Sequence, residues 1–248
     1  MKVNDVYNAI NSLAPFSSAE EWDNCGLLLG SLNAECKTAL VCLDITNEVV
    51  AQAVENNAQV IISHHPVIFD PLKTIDYNGK IAKLIRNNIA VISAHTNLDI
   101  AENGVNDTLC KILNLTQTAK TSDSFLRICE CERFENGEEL ARFVKEKLNS
   151  HELTFTDTDK PITRIAVCSG SGSSLAEDVI SQKVDAFITG ELKHNAMLDL
   201  FDAGICAVMA GHFSTEVVIT KPLTEKLKRL LPKINFLTAT ETPLVMEV

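Results

Sequence analysis

Short apolar segments alternate with amphipathic segments along most of the chain, and this alternation predicts strands separated by helices. Segments that are apolar on both faces are predicted as strands, at 38–44, 58–65, 89–95, 184–191 and 205–212, with another beginning at 163. The segments between them are predicted as helices, at 47–57, 79–88, 103–115, 175–182 and 194–204. Such strands are typical of a parallel-rich sheet covered on both sides, so we expect an α/β fold.

The middle and the two ends of the chain follow other patterns. Residues 125–134 alternate like a half-exposed strand, a charged helix is predicted at 138–149, and apolar residues from Val3 to Leu13 mark one face of a first helix. A long helix is predicted at 214–231, where Pro222 either kinks it or divides it. Two further strands are expected near 234–240 and 243–248.

The pattern of the first half returns in the second half, which indicates an internal duplication. The segment from 163 resembles that from 38, and 184–191 and 205–212 resemble 58–65 and 89–95. We therefore expect two related α/β lobes with mixed, parallel-rich sheets. The first would comprise 1–114 with 213–248, the second 115–212, and the whole of 1–248 would form one family unit. The alternative to a duplication is that the two halves are similar only because all α/β units share this pattern.

Histidines and carboxylates follow the predicted strands. Five of the six histidines stand at strand ends or just beyond them. The residues at these ends are His64, His65, His95, Asp99, Glu191, His194, His212 and Glu216. Because ligands of open α/β sheets bind beyond the carboxyl ends of the strands, these residues are candidates for a common site.

Histidine with carboxylate is the ligand set of Zn, Mn, Fe, Co or Ni. His64 and His65 can face one site only if the strand has ended there, and Pro66 favours that. Two adjacent imidazoles suit two ions, one each, with Asp99 or Glu216 as the bridge, and Glu216 shares a helix face with His212. The alternatives are structural hydrogen bonds for the histidines and helix caps for the carboxylates, with a helix beginning at Ser214.

Composition narrows the class of protein. The net charge is −11, from 33 acidic and 22 basic residues, which disfavours a nucleic-acid partner. The first 15 residues lack the apolar segment of a secretion signal, and no run of 18 apolar residues occurs, so we expect a cytoplasmic protein without a membrane span. The eight cysteines lack zinc-type spacing; Cys129 and Cys131 would share one strand face, as reduced thiols.

A set of motifs resembles one family. The segments "EEWDNCGLLLG", "SHHPVIF", "HTNLDIAENGVND", "DAFITGELKHNAM" and "AGHFSTE", in this order, resemble the Nif-three-like family, whose bacterial members are labelled GTP cyclohydrolase I type 2-like. The resemblance covers nearly the whole chain and matches the short form, without an inserted middle domain. It implies two α/β lobes with a dinuclear metal centre between them, and a ring-shaped homohexamer.

The resemblance also implies a ligand set and a chemistry. It places the metal ligands at His64, His65, Asp99, His212 and Glu216, which agrees with the strand-end residues, and sets His95 near them. Trp22, Asp23 and Asn24 match its N-terminal motif, for which packing beside the site is the simplest role.

Two divalent ions activate water, so a metal-dependent hydrolase is expected, with His95 or Glu191 carrying the proton. The reaction that the GTP cyclohydrolase label implies is the ring opening of GTP with release of formate. Lys73, Lys193 or the amides of residues 169–174 would meet its triphosphate. The alternatives are hydrolysis of another phosphoester or cyclic amide, and a metal-handling or scaffold protein without turnover.

Overall fold

The computed structural model describes residues 1–121, 125–151 and 153–245 and divides the chain into two compact units. The first unit comprises Met1–Glu102 and Ile219–Thr242, and the second comprises Asn103–Val218 with the described C-terminal residues from Pro243. Each unit combines helices with one sheet of parallel and antiparallel strands, so the predicted α/β class with two lobes is confirmed.

The first unit contains five strands and five α-helices. The strands are β1 Gly26–Leu29, β2 Thr38–Cys42, β3 Val60–Ser63, β4 Ala90–Ser93 and β11 Asn235–Thr238. The helices are α1 Val3–Leu13, α2 Asn47–Glu55, α3 Lys80–Arg86, α4 Thr96–Ile100 and α10 Thr220–Leu230. The sheet order is β1-β4-β3-β2-β11, in which β1 alone runs antiparallel to its neighbour.

The second unit contains six strands and five α-helices within its described residues. The strands are β5 Thr116–Lys120, β6 Arg127–Phe134, β7 Thr154–Phe155, β8 Ile162–Val167, β9 Ala186–Thr189 and β10 Cys206–Met209. The helices are α5 Val105–Ile112, α6 Gly137–Leu148, α7 Ala176–Ser181, α8 His194–Asp202 and α9 His212–Glu216. The sheet order is β5-β6-β8-β9-β10-β7, with β8, β9 and β10 parallel and the others antiparallel.

The same arrangement of strands and helices recurs in both units. In each, three consecutive parallel strands lie side by side with helices between them in the chain, and a short antiparallel strand closes the outer edge beside the third. All residues of β3, β4, β9 and β10 are buried, as expected for strands covered on both faces. This order agrees with the internal duplication that the sequence pattern indicates.

The compact units divide the chain at other residues than the sequence pattern does. Helix α5 lies in the second unit because Leu109, Cys110 and Leu113 belong to the apolar cluster that contains residues of β6 and β8. The sequence-based limits of the two lobes, 1–114 with 213–248 and 115–212, remain a prediction.

The C-terminal helix is divided before Pro222, not at it. A short 3-10 turn, Val217–Ile219, separates α9 from α10, and Pro222 lies in the first turn of α10, where its missing N–H leaves no helical bond unmade. The strand predicted near 243–248 is absent at 243–245, and its last three residues lie outside the described residues. Within the part of the chain that the structure describes, no helix has the length and apolar character needed to cross a membrane.

Candidate metal centre

Three histidines lie at the carboxyl edge of the sheet in the first unit. His64 and His65 follow β3 directly, and His95 follows β4 by two residues. The backbone N–H groups of His64 and His65 donate to Cys42 O and Leu43 O, at 3.1 and 3.0 Å. Consecutive residues of a regular parallel strand do not both donate to the same neighbour, so the ladder is broken here and the two side chains no longer alternate.

The three imidazoles form a close cluster. The ring centroids of His64 and His65 lie 5.0 Å apart, and that of His95 lies 5.1 and 5.4 Å from them. One nitrogen of each ring lies within 4.8 Å of those of the other two. His64 is buried, whereas His65 and His95 are half-buried, so the cluster extends from the interior of the unit toward its surface.

Each ring is oriented by an oxygen on its Nδ1 atom. The Nδ1 of His64 lies 2.9 Å from Ala94 O, that of His65 lies 2.9 Å from Asp44 Oδ1, and that of His95 lies 2.9 Å from Asp23 Oδ1. These oxygens accept, so Nδ1 carries the hydrogen and Nε2 of each neutral ring keeps its lone pair. Metal-binding histidines are oriented in this way by a carboxylate or a carbonyl on the other nitrogen.

Asp99 adds a carboxylate to the cluster. It lies in α4, is 7% exposed, and its Oδ1 atom lies 3.5 Å from His64 Nε2. Two ligand atoms on one ion, each about 2.1 Å from it, lie roughly 3–3.5 Å apart. The separation of His64 and Asp99 therefore fits two ligands of one ion.

Asp23 fixes the loop that precedes β1. It accepts hydrogen bonds from His95, from Cys25 Sγ and from the amide and hydroxyl of Thr96. Burial alone would raise the pKa of Asp23, but these hydrogen bonds and the charge of His95 lower the pKa well below its ordinary value. Burial, with the hydrogen bond to Asp23, raises the pKa of Cys25 to about 12. Asp23 is therefore an anionic acceptor, and Cys25 is a thiol donor to it.

The second unit places His212 and Glu216 together, as the spacing of four residues predicts. Both lie in α9, and His212 Nε2 is 3.0 Å from Glu216 Oε2. His212 Nδ1 lies 3.2 Å from Glu191 Oε1, and Glu191 follows β9. The helix begins at His212 after Gly211, so the predicted start at Ser214 is wrong by two residues. The 3.0 Å separation again suits two ligands of one ion.

Two glycines allow this packing. A Cβ atom on Gly190 would lie 2.5 Å from Gly170 O and 2.9 Å from the Cα of His212, so only glycine lets α9 approach the end of β9. Gly170 has φ +61°, and a Cβ there would lie 2.1 Å from Glu216 Oε1. The positions of His212 and Glu216 thus depend on backbone that approaches without side chains.

The serine- and glycine-rich segment at 169–174 uses amides within the protein. Ser169 N donates to Asn106 Oδ1 at 2.7 Å, Gly170 N to Thr215 Oγ1 at 3.0 Å, and Gly172 N to Glu191 O at 3.1 Å. These three amides are therefore occupied, which weakens the expectation that the segment binds a phosphate.

Sequence reasoning missed Asp44 and gave Asp23 no role beyond packing beside the site. Asp44 follows β2, so the strand-end rule that selected the histidines could have selected it too. The contact of Asp23 with His95 joins residues 72 positions apart, and no local pattern indicates it. His194 begins α8, is exposed, and belongs to none of the histidine–carboxylate groups found among the described residues.

The donor set of each unit is compatible with a divalent transition-metal ion, such as Zn, Mn, Fe, Co or Ni. The first unit offers imidazole nitrogens with a buried carboxylate, and the second offers one imidazole with one buried carboxylate. Neutral imidazole with carboxylate suits these metals, whereas an all-oxygen set would suit calcium or magnesium.

Comparison with known proteins identifies the family. Residues 1–243 match the model of the Duf34/NIF3 (NGG1p interacting factor 3) family. The chain is 36% identical to the "GTP cyclohydrolase 1 type 2 homolog" of Clostridium acetobutylicum, over 95% of this chain and 92% of that one. It is 35% identical to the protein of the same name from Campylobacter jejuni, over 98% of both chains.

A solved structure also resembles this chain over its whole length. The crystal structure of Staphylococcus aureus protein SA1388 matches with a TM-score of 0.89 and 27% identity, over 100% of this chain and 99% of that one. Since a family model covers nearly the whole sequence and both relatives exceed 30% identity along their length, this chain belongs to the Duf34/NIF3 family.

Proposed function

We propose that this chain binds two divalent metal ions and uses them to hydrolyse a small-molecule substrate. The proposed ligands are His64, His65, Asp99, His212 and Glu216. The observation that carries the proposal is the shared orientation of His64 and His65 after β3: each Nδ1 faces an accepting oxygen, which directs Nε2 to the proposed metal.

The specific reaction that we propose is the ring opening of GTP with release of formate. The names of the relatives support this substrate. One water would add to the carbon between the two nitrogens of the imidazole ring and open it, and a second would release that carbon as formate. Two divalent ions, when bound, supply Lewis acidity that lowers the pKa of water and polarises the bond under attack.

Of the two candidate proton carriers, His95 has the better surroundings. Its Nε2 atom is available to accept a proton, and Asp23 on Nδ1 would stabilise the imidazolium that results. Glu191 contacts Nδ1 of His212 and has an exposed carboxylate, so its role in this proposal is to orient His212, with proton transfer as the alternative. Lys73 and Lys193 remain the candidate partners of the triphosphate.

The experiment is formate release from GTP by protein reloaded with Zn²⁺, Mn²⁺ or Fe²⁺ after chelation. We expect release with at least one of these metals and none with the chelated protein. His95→Ala should lower the rate by about 10²–10⁴-fold, as for loss of a general acid or base, at an unchanged metal content. His194→Ala, the loss of an exposed histidine outside the cluster, should leave the rate unchanged. Full metal loading without formate would refute the substrate.

A second candidate function is metal handling without turnover. One observation favours it: the side chains of His65 and His212 are 23% and 38% exposed, and exposed ligands exchange their ion readily. A metal-handling protein should release its ions to a mild chelator within minutes and turn over no substrate. A hydrolase should keep at least one ion under the same conditions.

The assembly that we propose, from the family resemblance, is a ring-shaped homohexamer. Native mass spectrometry of the purified protein measures it directly. A mass six times that of the 27.2 kDa chain would support the ring, and a monomer at micromolar concentration would contradict it.

A further inference from the structure

An exposed pair of aromatic rings lies beside the histidine cluster of the first unit. Trp22 is 60% exposed and Phe69 is 47% exposed, and their ring centroids lie 5.9 Å apart. The indole also contacts His95 edge-on, at 6.3 Å between centroids and 79° between planes. We refer to Trp22 and Phe69 as the aromatic pair. The aromatic pair is joined to the imidazole cluster by this contact between Trp22 and His95.

The aromatic pair is held in place by polar contacts on either side of it. Asp23 anchors the loop of Trp22 to His95 and Thr96. The side-chain amide of Asn24 donates to Ile68 O at 2.7 Å, which ties that loop to the segment carrying Phe69. Large apolar side chains in water are costly to hold in fixed positions, so a fixed and exposed pair is typical of a surface that binds a ligand.

The charges of these two segments argue against phosphate as that ligand. Residues 20–25 and 66–73 carry Glu20, Glu21, Asp23 and Asp70 against the single cation Lys73. An anionic phosphate placed against the aromatic pair itself would be repelled, whereas an uncharged flat ring would gain stacking on the indole and the phenyl ring, with the triphosphate left to the lysines.

We infer that Trp22 and Phe69 form a stacking site for an uncharged heteroaromatic ring, such as a purine base. The inference rests on the proposed function in one respect, because the ring held there is the one that the histidine cluster would help to open. It gives Trp22 of the N-terminal motif a role in substrate selection. Asp23 and Asn24 are its positioning residues.

The test uses the fact that Trp22 is the only tryptophan in the chain. Guanosine, which has the ring but no phosphate, is titrated into the metal-loaded protein while tryptophan emission is followed with excitation at the red edge. We expect saturable quenching by guanosine and none by ribose 5-phosphate. Absence of quenching by guanosine would overturn the inference.

Variants separate stacking from folding. Trp22→Ala should weaken guanosine binding, measured by equilibrium dialysis, by about 5- to 150-fold, the range for loss of one aromatic residue that stacks on a base. Trp22→Phe keeps a flat ring and should lose less, and Phe69→Ala should weaken both binding and quenching. Tyr77→Ala removes an 84% exposed aromatic residue from the same connection between β3 and α3 as Phe69 and should change neither. Circular dichroism and metal content confirm that each variant is folded.

The outcomes distinguish this inference from the proposed function. Guanosine binding that depends on Trp22, without formate from GTP, would keep the stacking site and refute the reaction. Formate release with equal KM in wild type and Trp22→Ala would keep the reaction and refute the stacking site. If acrylamide fails to quench Trp22 and Trp22→Ala reduces the native mass, a second copy of the chain covers the aromatic pair, and the inference is wrong.

Discussion

Removal of the Asp44 carboxylate is expected to weaken metal binding without touching a ligand. Asp44 Oδ1 lies 2.9 Å from His65 Nδ1 and is the contact that holds Nε2 of His65 as a lone-pair donor. In Asp44→Ala the imidazole loses this restraint, and the tautomer with the hydrogen on Nε2, which cannot bind a metal through that atom, becomes accessible. In Asp44→Asn the amide oxygen can still accept, so the loss should be smaller.

The size of the effect follows from exposure. Loss of a hydrogen-bond partner behind a metal ligand costs about 10–100-fold in affinity. The side chains of Asp44 and His65 are 38% and 23% exposed, so water can replace part of the lost contact. We therefore expect the lower end of that range for Asp44→Ala, about tenfold, which corresponds to about 1.4 kcal/mol.

The assay is competition for Zn²⁺ between the protein and a chromophoric chelator of known affinity. Asp202→Ala, which removes an exposed carboxylate at the end of α8, is the matched control and should leave the dissociation constant unchanged. An Asp44→Ala dissociation constant equal to that of the control would refute the assignment of His65 as an oriented ligand. A loss as large as that of His65→Ala would mean that Asp44 itself binds the ion.

Three further predictions concern stability. Burial would raise the pKa of Asp107, but the hydrogen bond from fully buried Arg127 lowers it. Asp107→Ala leaves that cation buried without its carboxylate, so the free energy of unfolding measured in urea should fall by about 3–5 kcal/mol. A decrease below about 1 kcal/mol would contradict this. Gly170→Ala should lower the melting temperature and metal affinity together, because its Cβ would overlap Glu216; wild-type values for both would refute the close packing. Burial raises the pKa of Glu241 above its ordinary 4.5, so the free energy of unfolding should fall as pH rises from about 4.5 through the raised pKa. Glu241→Gln should flatten that part of the pH profile of stability, and a profile equal to that of the wild type would contradict the prediction.

The strands and the ligands at their ends could be predicted because both are local patterns. β3 and β4 are apolar on both faces and end in polar residues, so the sequence shows the strand, its end and the histidines beyond it. His212 and Glu216 could be paired because four residues make one helical turn. These features need only the periodicity of a strand or a helix.

Features that depend on tertiary contacts could not be predicted. Strand β7 has two residues, too short for periodicity to identify, and both β1 and β7 form an edge because a neighbouring strand pairs with them. Cys129 and Cys131 pack into one apolar cluster, as expected for one strand face, but the 3.5 Å approach of Cys129 Sγ to the Sγ of Cys110 in α5 could not be predicted. The partners of His65 and His95 are likewise distant in sequence.

The most direct test of the central claim is the metal content of protein purified without chelator or affinity metal. Inductively coupled plasma mass spectrometry should give about two transition-metal ions per chain for the wild type. It should give about one for each of His64→Ala and His65→Ala, because adjacent histidines are proposed to serve separate ions. No bound metal in the wild type, even after Zn²⁺, Mn²⁺ or Fe²⁺ is added back, would contradict the account.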